Sequence, residues 1–523
     1  MELMYRYIPC RNDLIVAFIL QITVYEVANE SPMQFAPMLS QITKGNKLFL
    51  KREDTQPVFS FKIRGAYNKI IKLRSDLLER GVICCSAGNH GQGVAFSANK
   101  LQIPAYIVMP LATPSIKVAA VRRFGGKYTN VLLHGQDYDE AAHEARRLAR
   151  ERGLTMIHPF DDPDVIAGQG TVGIEIVKAF NAKALDAIFV CTGGGGLLAG
   201  VAAAVKSLRP DVLIIGVEAD DAAGMTTSLI KGQVHTLSQV GLFADGAAVK
   251  TIGTETFNIC EKIVDEMITV STDEICAAIK HGFSDTRSVM EPAGALGIAG
   301  MMKYIEERNW SNKTCVAITS GSNIDFDRLR FVSERADLSE IMLAVTIPER
   351  PGSFRELYSL IYPRNVTEFS YRQNGNLAHE ANVILSLQFK QGKNMNDDRT
   401  EILEELHVKG YKCIDFSDNE LAKSHARHLS GGRAGMEGEV LYRFEFPEAP
   451  GALNKFLHTL NYHNQGWNIS LWHYRNCGHD VGRVLVGLIV KEEEKVVFNN
   501  FLENLGYSYY EETNNPVYEY FLK

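Results

Sequence analysis

The stretch Ala187–Leu208 reads AIFVCTGGGGLLAGVAAAVKSL and indicates the fold of the longer part of this chain. Its first five residues are apolar without alternation, which is typical of a β-strand covered on both faces. Four glycines follow at Gly193–Gly196, and a helical pattern begins at Leu197. A buried strand, a glycine loop and a helix in this order predict one unit of a parallel α/β sheet.

Similar apolar runs lie on both sides of this unit. Helical patterns such as Asp139–Arg152 separate them, so we predict an α/β fold with open, mostly parallel sheets. In such folds, ligands bind at the carboxyl ends of the strands. The predicted strands are Lys47–Leu50, Val82–Cys85, Ala105–Met109, Val131–Leu133, Ala187–Cys191, Leu213–Val217 and Cys315–Thr319.

The last third of the chain contains an internal repeat. Ala344–Phe354 resembles Arg443–Leu453, and Gly352 corresponds to Gly451, so the period is 451 − 352 = 99 residues. The repeat predicts two copies of a small α+β unit, each with the order strand, Pro-Gly turn, helix, strand, turn, strand. We therefore predict domains at 1–335, 340–421 and 438–523, with a glycine-rich linker around Ser430.

The composition narrows the classes of function. The net charge of the 523 residues is -7 without a clustered basic face, which argues against a nucleic-acid partner. The nine cysteines show no metal-ligand spacing and predict reduced thiols in the cytoplasm. The apolar run Leu14–Leu20 is shorter than the roughly 20 residues of a membrane span, so we predict an amphipathic or buried helix, with a signal peptide as the alternative.

Lys62 is the first candidate for chemistry. Ile63, Tyr67 and Ile70 recur at helical spacing after it, so Lys62 is expected at the start of a helix. A helix N-terminus disfavours an additional positive charge, which favours a neutral, nucleophilic amine that forms a Schiff base. An ordinary solvated lysine is the alternative interpretation.

Three further stretches follow predicted strands. Ser86–Gly91 (SAGNHG) offers backbone N–H groups for a carboxylate, although a plain strand-to-helix turn is the alternative. The glycines of Gly193–Leu197 at a helix N-terminus predict phosphate binding, against a flexible loop. Thr319–Asn323 (TSGSN) places a serine where it could meet a ring nitrogen, or serve only as a helix N-cap.

These four stretches, in this order, closely resemble the fold type II, tryptophan-synthase-β-like family of pyridoxal-phosphate enzymes. The run Lys51–Asn68 resembles the biosynthetic threonine deaminases in particular. The repeats around Val345 (VTIPERPGSF) and Phe446 (FPEAPGAL) are similar to the two ACT-like regulatory units of that group. The resemblance extends from about residue 24 to the C-terminus, and it implies a catalytic α/β domain followed by two ACT-like α+β domains.

The resemblance also implies a role for each candidate residue. Lys62 would bind pyridoxal 5'-phosphate covalently and then act as general base on the α-proton of the substrate. Phe61 would pack against the cofactor ring, Asn89 would bond its phenolic oxygen, and Ser320 would meet its pyridine nitrogen. The phosphate would be bound by Gly193, Gly194, Gly195, Gly196 and Leu197, and the substrate carboxylate by Ser86, Asn89 and His90.

The implied activity is deamination of L-threonine to 2-oxobutanoate and ammonia, the first committed step of isoleucine synthesis. The enzyme would be a cytoplasmic homotetramer that isoleucine inhibits, with valine as a second effector and no membrane partner. A serine or broad hydroxy-amino-acid dehydratase is the second interpretation, and a catalytically silent amino-acid sensor is the third.

Two positions differ from the serine racemases of this fold. Ala87 stands where those enzymes carry a proton-moving serine, so we expect weak racemisation. The run Glu218–Gly224 departs from their acidic metal-binding pattern, so we expect no essential metal. The candidates for effector contacts are the turns after Pro351-Gly352 and Pro450-Gly451, with Tyr371, Arg372, Tyr474 and Arg475. Plain structural turns and strand residues are the alternative interpretation.

Overall fold

The computed structural model divides into two units, Met1–Ala336 and Asp337–Lys523. No helix among the described residues is long and apolar enough to cross a membrane. The run Leu14–Leu20 and the linker around Ser430 lie outside the described residues. The structure describes residues 23–43, 45–181, 183–336, 340–348, 353–362, 364, 366–371, 380–389, 395–426, 438–447, 452, 455–456, 459–460, 467, 469–475 and 481–522.

The strands of the first unit form two sheets. In chain order they are β1 (Met33–Phe35), β2 (Lys47–Arg52), β3 (Val82–Cys85), β4 (Ala105–Met109), β5 (Thr129–Leu133), β6 (Thr155–Met156), β7 (Ala187–Cys191), β8 (Leu213–Ala219), β9 (Glu266–Val270) and β10 (Thr314–Thr319). One sheet has the order β1-β2-β10-β7-β8-β9, and the other has the order β5-β4-β3-β6. Among the described strands of this unit, only the pair β1 and β2 is antiparallel, so both sheets are mostly parallel, as predicted.

Helices cover the faces of these sheets. They are α1 (Pro37–Ile42), α2 (Lys62–Ile71), α3 (Ser75–Arg80), α4 (Asn89–Leu101), α5 (Ser115–Gly125), α6 (Tyr138–Arg152), α7 (Pro163–Phe180), α8 (Gly196–Leu208), α9 (Gly224–Lys231), α10 (Thr254–Ile263), α11 (Thr272–Thr286), α12 (Pro292–Glu307) and α13 (Arg328–Arg335). Every residue of β7 and β10 is buried, because helices pack on the sheet and exclude water from both faces. The predicted α/β class is thereby confirmed.

A fully buried ionic network holds α2 against the sheet and α7. Arg64 donates from Nε to Glu53 Oε2 at 2.8 Å and from Nη1 to Glu175 Oε1 at 2.5 Å. Lys51 Nζ donates to the other oxygen of Glu175, also at 2.5 Å. Charged groups so far from water are tolerated only when they are paired and hydrogen-bonded. The network therefore fixes the first turn of α2, where Lys62 lies.

The second unit contains two four-stranded antiparallel sheets of the same topology. Their strands are β11 (Glu340–Pro348), β12 (Val366–Tyr371), β13 (Glu380–Gln388) and β14 (Lys412–Asp415), then β15 (Glu439–Pro447), β16 (Ile469–Arg475), β17 (Val481–Ile489) and β18 (Ser508–Glu511). The strand orders, β12-β13-β11-β14 and β16-β17-β15-β18, correspond. An irregularity in register occurs at Val366/Glu368 in one sheet and at Ile469/Leu471 in the other.

The two sheets also share a hydrophobic cluster. In β11, Ile341 and Leu343 face a cluster with the helices of their own repeat, whereas Met342 and Ala344 face a cluster that also contains Leu441 of β15. Alternate side chains of one strand therefore enter two different cores. The α-helices of this unit with described bounds are α14 (Ser353–Ile361), α15 (Met395–Val408), α16 (Glu420–Ser424) and α17 (Lys495–Leu505), and a short π-helix spans Tyr518–Leu522.

Candidate active site

Lys62 is the first residue of α2. Its Nζ donates a hydrogen bond to the carbonyl oxygen of Pro159 at 2.9 Å. Burial lowers the pKa of the Lys62 amine to about 8, because the charged form loses hydration. A substantial fraction of the amine is therefore neutral, and able to act as a nucleophile, in mildly alkaline solution.

The segment before Lys62 pairs with the end of β10. Phe59 adopts a left-handed conformation with φ 57, and its carbonyl accepts from the backbone N–H of Ser322 at 2.9 Å. Phe61 is buried and donates its backbone N–H to the carbonyl of Ser320 at 3.2 Å. The first and fourth candidate stretches, which are far apart in sequence, therefore lie side by side.

Asn89 joins the second candidate stretch to the same region. It is the first residue of α4, and its Nδ2 donates to Glu291 Oε1 at 2.6 Å. Its Oδ1 accepts from Asn323 Nδ2 at 2.7 Å. Burial and the nearby Asp245 raise the pKa of Glu291 to about 7. Both ends of the Asn89 amide are thus fixed, and one N–H of its Nδ2 is left for a further acceptor.

The other residues predicted to bind the substrate carboxylate lie in the same turn. Ser86 Oγ accepts from the backbone N–H of Gly88 at 3.2 Å. His90 is buried, with its Nε2 2.9 Å from the carbonyl oxygen of Ile157, and burial lowers the pKa of its imidazole to about 3. The His90 ring therefore contacts the protein interior, which leaves its backbone N–H for a ligand. Its role in substrate binding stays a prediction.

The glycine loop before α8 is packed so closely by neighbouring residues that it has no room for side chains. Gly195 has φ +94, and a Cβ added there would lie 2.6 Å from Met225 Cε. A Cβ added at Gly194 would lie 2.3 Å from the ring of Phe160. The N–H groups of the first turn of a helix have no acceptor within the helix. The loop therefore presents these donors, and the positive end of the α8 dipole, to an anion.

The segment between β6 and α7 connects Lys62 to this loop. Pro159 accepts the hydrogen bond from Lys62, and the next residue, Phe160, contacts Gly194 and Gly196. His158 Nδ1 accepts from the backbone N–H of Asp161 at 2.7 Å and so shapes the segment. Lys62 and the glycine loop are thus neighbours on the two sides of one short segment.

Ser320 lies at the carboxyl end of the six-stranded sheet. Its side chain is buried, and its Oγ donates to the carbonyl of Ala293 at 3.2 Å. The Cys191 thiol lies next to it, and burial raises the pKa of that thiol to about 12. Ser320 therefore offers a neutral hydroxyl to any ring that enters the site.

A cleft with a volume of about 640 Å³ adjoins these residues. Gln92 of α4, Lys117 of α5, Ser322 and Asn323 are among the residues that line it. Because Asn323 also holds Asn89, a small molecule in the cleft would lie beside the site. Pockets of a few hundred Å³ are typical of small-molecule binding.

The buried carboxylate of Glu218 bonds the backbone at the start of α9. It accepts from the backbone N–H groups of Met225 and Thr226, at 2.7 and 2.9 Å, and so holds the start of α9. Within the described part of the chain, no group of three His, Cys, Asp or Glu side chains is placed to hold a metal ion. The absence of an essential metal stays a prediction.

Comparison with known proteins assigns both units to families. Residues 25–321 match the family of pyridoxal-phosphate-dependent enzymes. Residues 333–426 and 430–522 each match the C-terminal regulatory domain of threonine dehydratase. The mitochondrial threonine dehydratase of Saccharomyces cerevisiae is 50% identical over 519 residues, which cover 97% of this chain and 89% of the yeast protein. This chain belongs to the pyridoxal-phosphate-dependent threonine dehydratases.

Further relatives extend this threonine dehydratase relationship. The biosynthetic L-threonine dehydratase IlvA of Burkholderia multivorans is 49% identical, with 96% of this chain and 98% of that protein covered. The solved structure of processed threonine deaminase isoform 2 from Solanum lycopersicum has a TM-score of 0.61 and 46% identity, over 64% of this chain and 90% of that chain. Maize serine racemase has a TM-score of 0.57 and 30% identity, over 61% and 96% of the two chains.

The residues of the site fit the cofactor of the threonine dehydratase family. Lys62 supplies a buried amine of lowered pKa. The glycine loop supplies backbone donors for an anion, and side chains added to the loop would clash with neighbouring residues. Ser320 supplies a neutral hydroxyl beside the Cys191 thiol. These are the groups needed to bind an aldehyde, a phosphate and a pyridine nitrogen.

Sequence reasoning missed several residues of this site. Glu291 is 202 positions from Asn89, and no local pattern around it indicates a function. Pro159 and Phe160 were also missed, although the acid-and-proline pattern Asp162-Pro163 marks the start of the helix that follows them. Of the effector candidates, Pro351-Gly352, Pro450-Gly451 and Arg372 lie outside the described residues, and the side chains of Tyr371, Tyr474 and Arg475 are not described.

Proposed function

We propose that this chain deaminates L-threonine to 2-oxobutanoate and ammonia, as the first committed step of isoleucine synthesis. The observation that carries the proposal is the convergence of the Lys62 amine, the Asn89–Glu291 pair and the glycine loop at one edge of the sheets. The threonine dehydratase family membership supports the choice of substrate.

The proposed roles of the residues follow from their positions. Lys62 binds the cofactor aldehyde, and the N–H groups of Gly193–Leu197 bind its phosphate. Asn89 uses its remaining N–H for the phenolic oxygen, and Ser320 bonds the pyridine nitrogen. Phe61 packs against the cofactor ring. When bound, pyridoxal phosphate withdraws electrons from the α-carbon of the amino acid and makes its proton acidic.

Lys62 would then move the proton, once the amine of the substrate has replaced it on the cofactor aldehyde and left its own amine free. Because burial lowers the pKa of that amine to about 8, the neutral form is available to accept the α-proton in mildly alkaline solution. Ser86, Asn89 and the backbone N–H of His90 hold the substrate carboxylate and so orient the α-carbon. Loss of the β-hydroxyl with a proton, followed by addition of water, gives 2-oxobutanoate and ammonia.

Ser320 is suited to elimination rather than amino-group transfer. A neutral hydroxyl leaves the pyridine nitrogen without a full positive charge, whereas a carboxylate would stabilise that charge. The site therefore limits the delocalisation of negative charge into the ring.

The C-terminal units are proposed to bind isoleucine as an inhibitor and valine as a second effector. Their match to threonine dehydratase regulatory domains supports a regulatory role. The homotetramer and the cytoplasmic location are further proposals from the family resemblance. The yeast relative is named as mitochondrial, so the location is tested by imaging the tagged full-length chain.

The test of the catalytic proposal is a steady-state assay with identification of the product. The full-length protein with pyridoxal phosphate should form 2-oxobutanoate from threonine, and Lys62→Ala should lower kcat by at least about a thousandfold, since it removes both covalent binding and the base. Lys72→Ala, at the other end of α2, is the matched control and should retain turnover.

The same assay compares threonine with serine. A difference of one methyl group is worth about 10–200-fold in kcat/KM, so some pyruvate from serine is expected. A higher kcat/KM for serine than for threonine would favour the broad hydroxy-amino-acid dehydratase. The absence of turnover with either amino acid would contradict the proposal and favour the sensor.

A further inference from the structure

The short turn Asp245–Ala247 lies between two parts of the site. A Cβ added at Gly246 would lie 3.5 Å from Glu291 Oε1 and 3.7 Å from Asn89 Nδ2. A Cβ added at Gly193 would lie 2.7 Å from the carbonyl oxygen of Ala247. One turn therefore packs against both the Asn89–Glu291 pair and the glycine loop.

Two cations from different elements hold Asp245, the first residue of this turn. Lys117 Nζ of α5 lies 2.7 Å from Asp245 Oδ2, and Arg328 Nη1 of α13 lies 3.2 Å from Asp245 Oδ1. The carboxylate also accepts from the backbone N–H of Gly246 at 3.0 Å. Asp245 thus connects the side chains of two helices to the backbone of the turn.

The two helices belong to different layers of the unit. The helix α5 packs beside β5 of the four-stranded sheet, whereas α13 packs on α11, near the six-stranded sheet. Although burial opposes ionisation, Lys117 and Arg328 hold the pKa of Asp245 well below its usual range. The carboxylate is therefore charged throughout the physiological pH range, and its ion pairs persist there.

We propose that Asp245 is a positioning residue for the cofactor site, held by Lys117 and Arg328. The ion pairs fix the turn, the turn fixes Asn89 through Glu291, and Ala247 supports the glycine loop from behind. Without the Asp245 carboxylate, the turn would lose its links to α5 and α13. The donors for the phenolic oxygen and the phosphate would then be less precisely placed.

The test measures binding of pyridoxal phosphate to the full-length apoenzyme by titration, monitored by visible absorbance. Asp245→Asn keeps the size of the side chain and removes its charge. We expect the Kd for pyridoxal phosphate to rise about 10–100-fold, by analogy with the loss of metal affinity when a group that orients a metal ligand is removed. The absorbance maximum of the bound cofactor should also shift, because Asn89 and Glu291 move relative to the ring.

Asp273→Asn is the matched control, because Asp273 pairs with Arg335 at the other end of α13, at 2.7 Å. The exposed fractions of the two carboxylates are alike, 23% for Asp245 and 20% for Asp273. The control should change the Kd for pyridoxal phosphate by no more than about twofold. Equal losses in the two variants, or a wild-type Kd in Asp245→Asn, would overturn the proposal.

A second pair of variants keeps the test informative if Asp245→Asn does not fold. Arg328→Lys retains a cation and should keep the Kd within about fivefold of the wild type, whereas Arg328→Met should raise it at least about tenfold. Lys117→Met should act in the same direction as Arg328→Met. If neither methionine variant weakens binding, Asp245 does not position the site. Since the readout is cofactor binding, these results stand whichever amino acid is the substrate.

Discussion

Lys62 combines two features that a nucleophilic amine needs: burial, which favours the neutral form, and a hydrogen bond to Pro159, which sets its direction. Sequence indicated the position at a helix start and, from the helix dipole, the direction of the pKa shift. The structure gives burial as the main cause, and burial depends on residues far away in sequence.

The first prediction concerns the pH dependence of cofactor capture. The pKa of Lys62 in the folded protein is about 8, below the ordinary value of a lysine, so the neutral amine becomes the main form as the pH rises above 8. The rate at which apoenzyme captures pyridoxal phosphate should therefore rise through pH 8 and level off above it. Stopped-flow absorbance measures this rate, and a rise that begins only near the ordinary lysine pKa of about 10.4 would contradict the account.

Glu291 shows what the sequence could not reveal about single residues. Its carboxyl accepts a hydrogen bond from Asn89, which is 202 positions away in the sequence. Burial and the nearby Asp245 raise the pKa of this carboxyl to about 7. Motifs show residues that are close in sequence, whereas Glu291, Pro159 and Asp245 reach the site only through the folding of distant loops. Four short stretches could therefore be predicted, but their supporting contacts could not.

At the scale of secondary-structure elements, the predicted bounds of β3, β4 and β7 agree with the structure residue for residue. These strands are central and apolar, so local sequence determines them. Three strands were not predicted: the short strands β1 and β6, each at the edge of its sheet, and the half-buried strand β9. Pairing with a neighbour determines such strands more than their own sequence does.

A side chain in the glycine loop before α8 should impair both stability and cofactor binding. Gly195→Ala places a Cβ at φ +94 and 2.6 Å from Met225 Cε, so the variant should lose at least about 1–2 kcal/mol of stability and most of its affinity for pyridoxal phosphate. Gly232→Ala, at φ +65 with no atom near its added Cβ, should show the backbone strain but normal affinity. Titration of both variants separates the effects, and equal affinities would contradict the role of the loop.

The buried network under α2 leads to a second prediction at this scale. Glu175→Gln leaves Lys51 and Arg64 with one carboxylate fewer, and it should lower the free energy of unfolding by about 3–5 kcal/mol. Glu151→Gln, which breaks an exposed pair with Arg147, should change the free energy of unfolding by less than about 1 kcal/mol. Thermal unfolding followed by circular dichroism makes the comparison, and similar losses would show that burial of the network does not matter.

The pH dependence of that stabilisation has a definite sign. Although burial raises the pKa of Glu175, Arg64 and Lys51 outweigh it and hold the pKa below its usual range. The stabilisation is therefore complete above the unfolded-state pKa of about 4.3 and is lost as the pH falls through the lower, folded-state value. The difference in stability between the wild type and Glu175→Gln should accordingly shrink in acid.

At the scale of the whole molecule, the internal repeat indicated two α+β units, and the structure has two sheets of equal topology. The helices α15 and α17, and the strands β14 and β18, were absent from the predicted unit, although the pairs Gly410-Tyr411 and Gly506-Tyr507 repeat where each helix meets its strand. The shared cluster of Met342, Ala344 and Leu441 explains why one isolated copy would leave an apolar face uncovered.

The separation into two units predicts the effect of truncation. A chain that ends at Ala336 retains the sheets, helices and clusters of the first unit, so it should bind pyridoxal phosphate and turn over threonine. Isoleucine should no longer inhibit it. Titration of isoleucine against the truncated and full-length proteins measures the difference, and equal inhibition would place the effector site in the first unit.

One experiment on the purified full-length protein tests cofactor binding, threonine deamination and its inhibition together. Its visible spectrum is recorded after incubation with pyridoxal phosphate and removal of the unbound cofactor, and formation of 2-oxobutanoate from threonine is then followed with and without isoleucine. We expect an absorbance band that Lys62→Ala lacks, turnover of threonine, and loss of that turnover when isoleucine is added. A protein that shows no band and forms no 2-oxobutanoate would contradict the account.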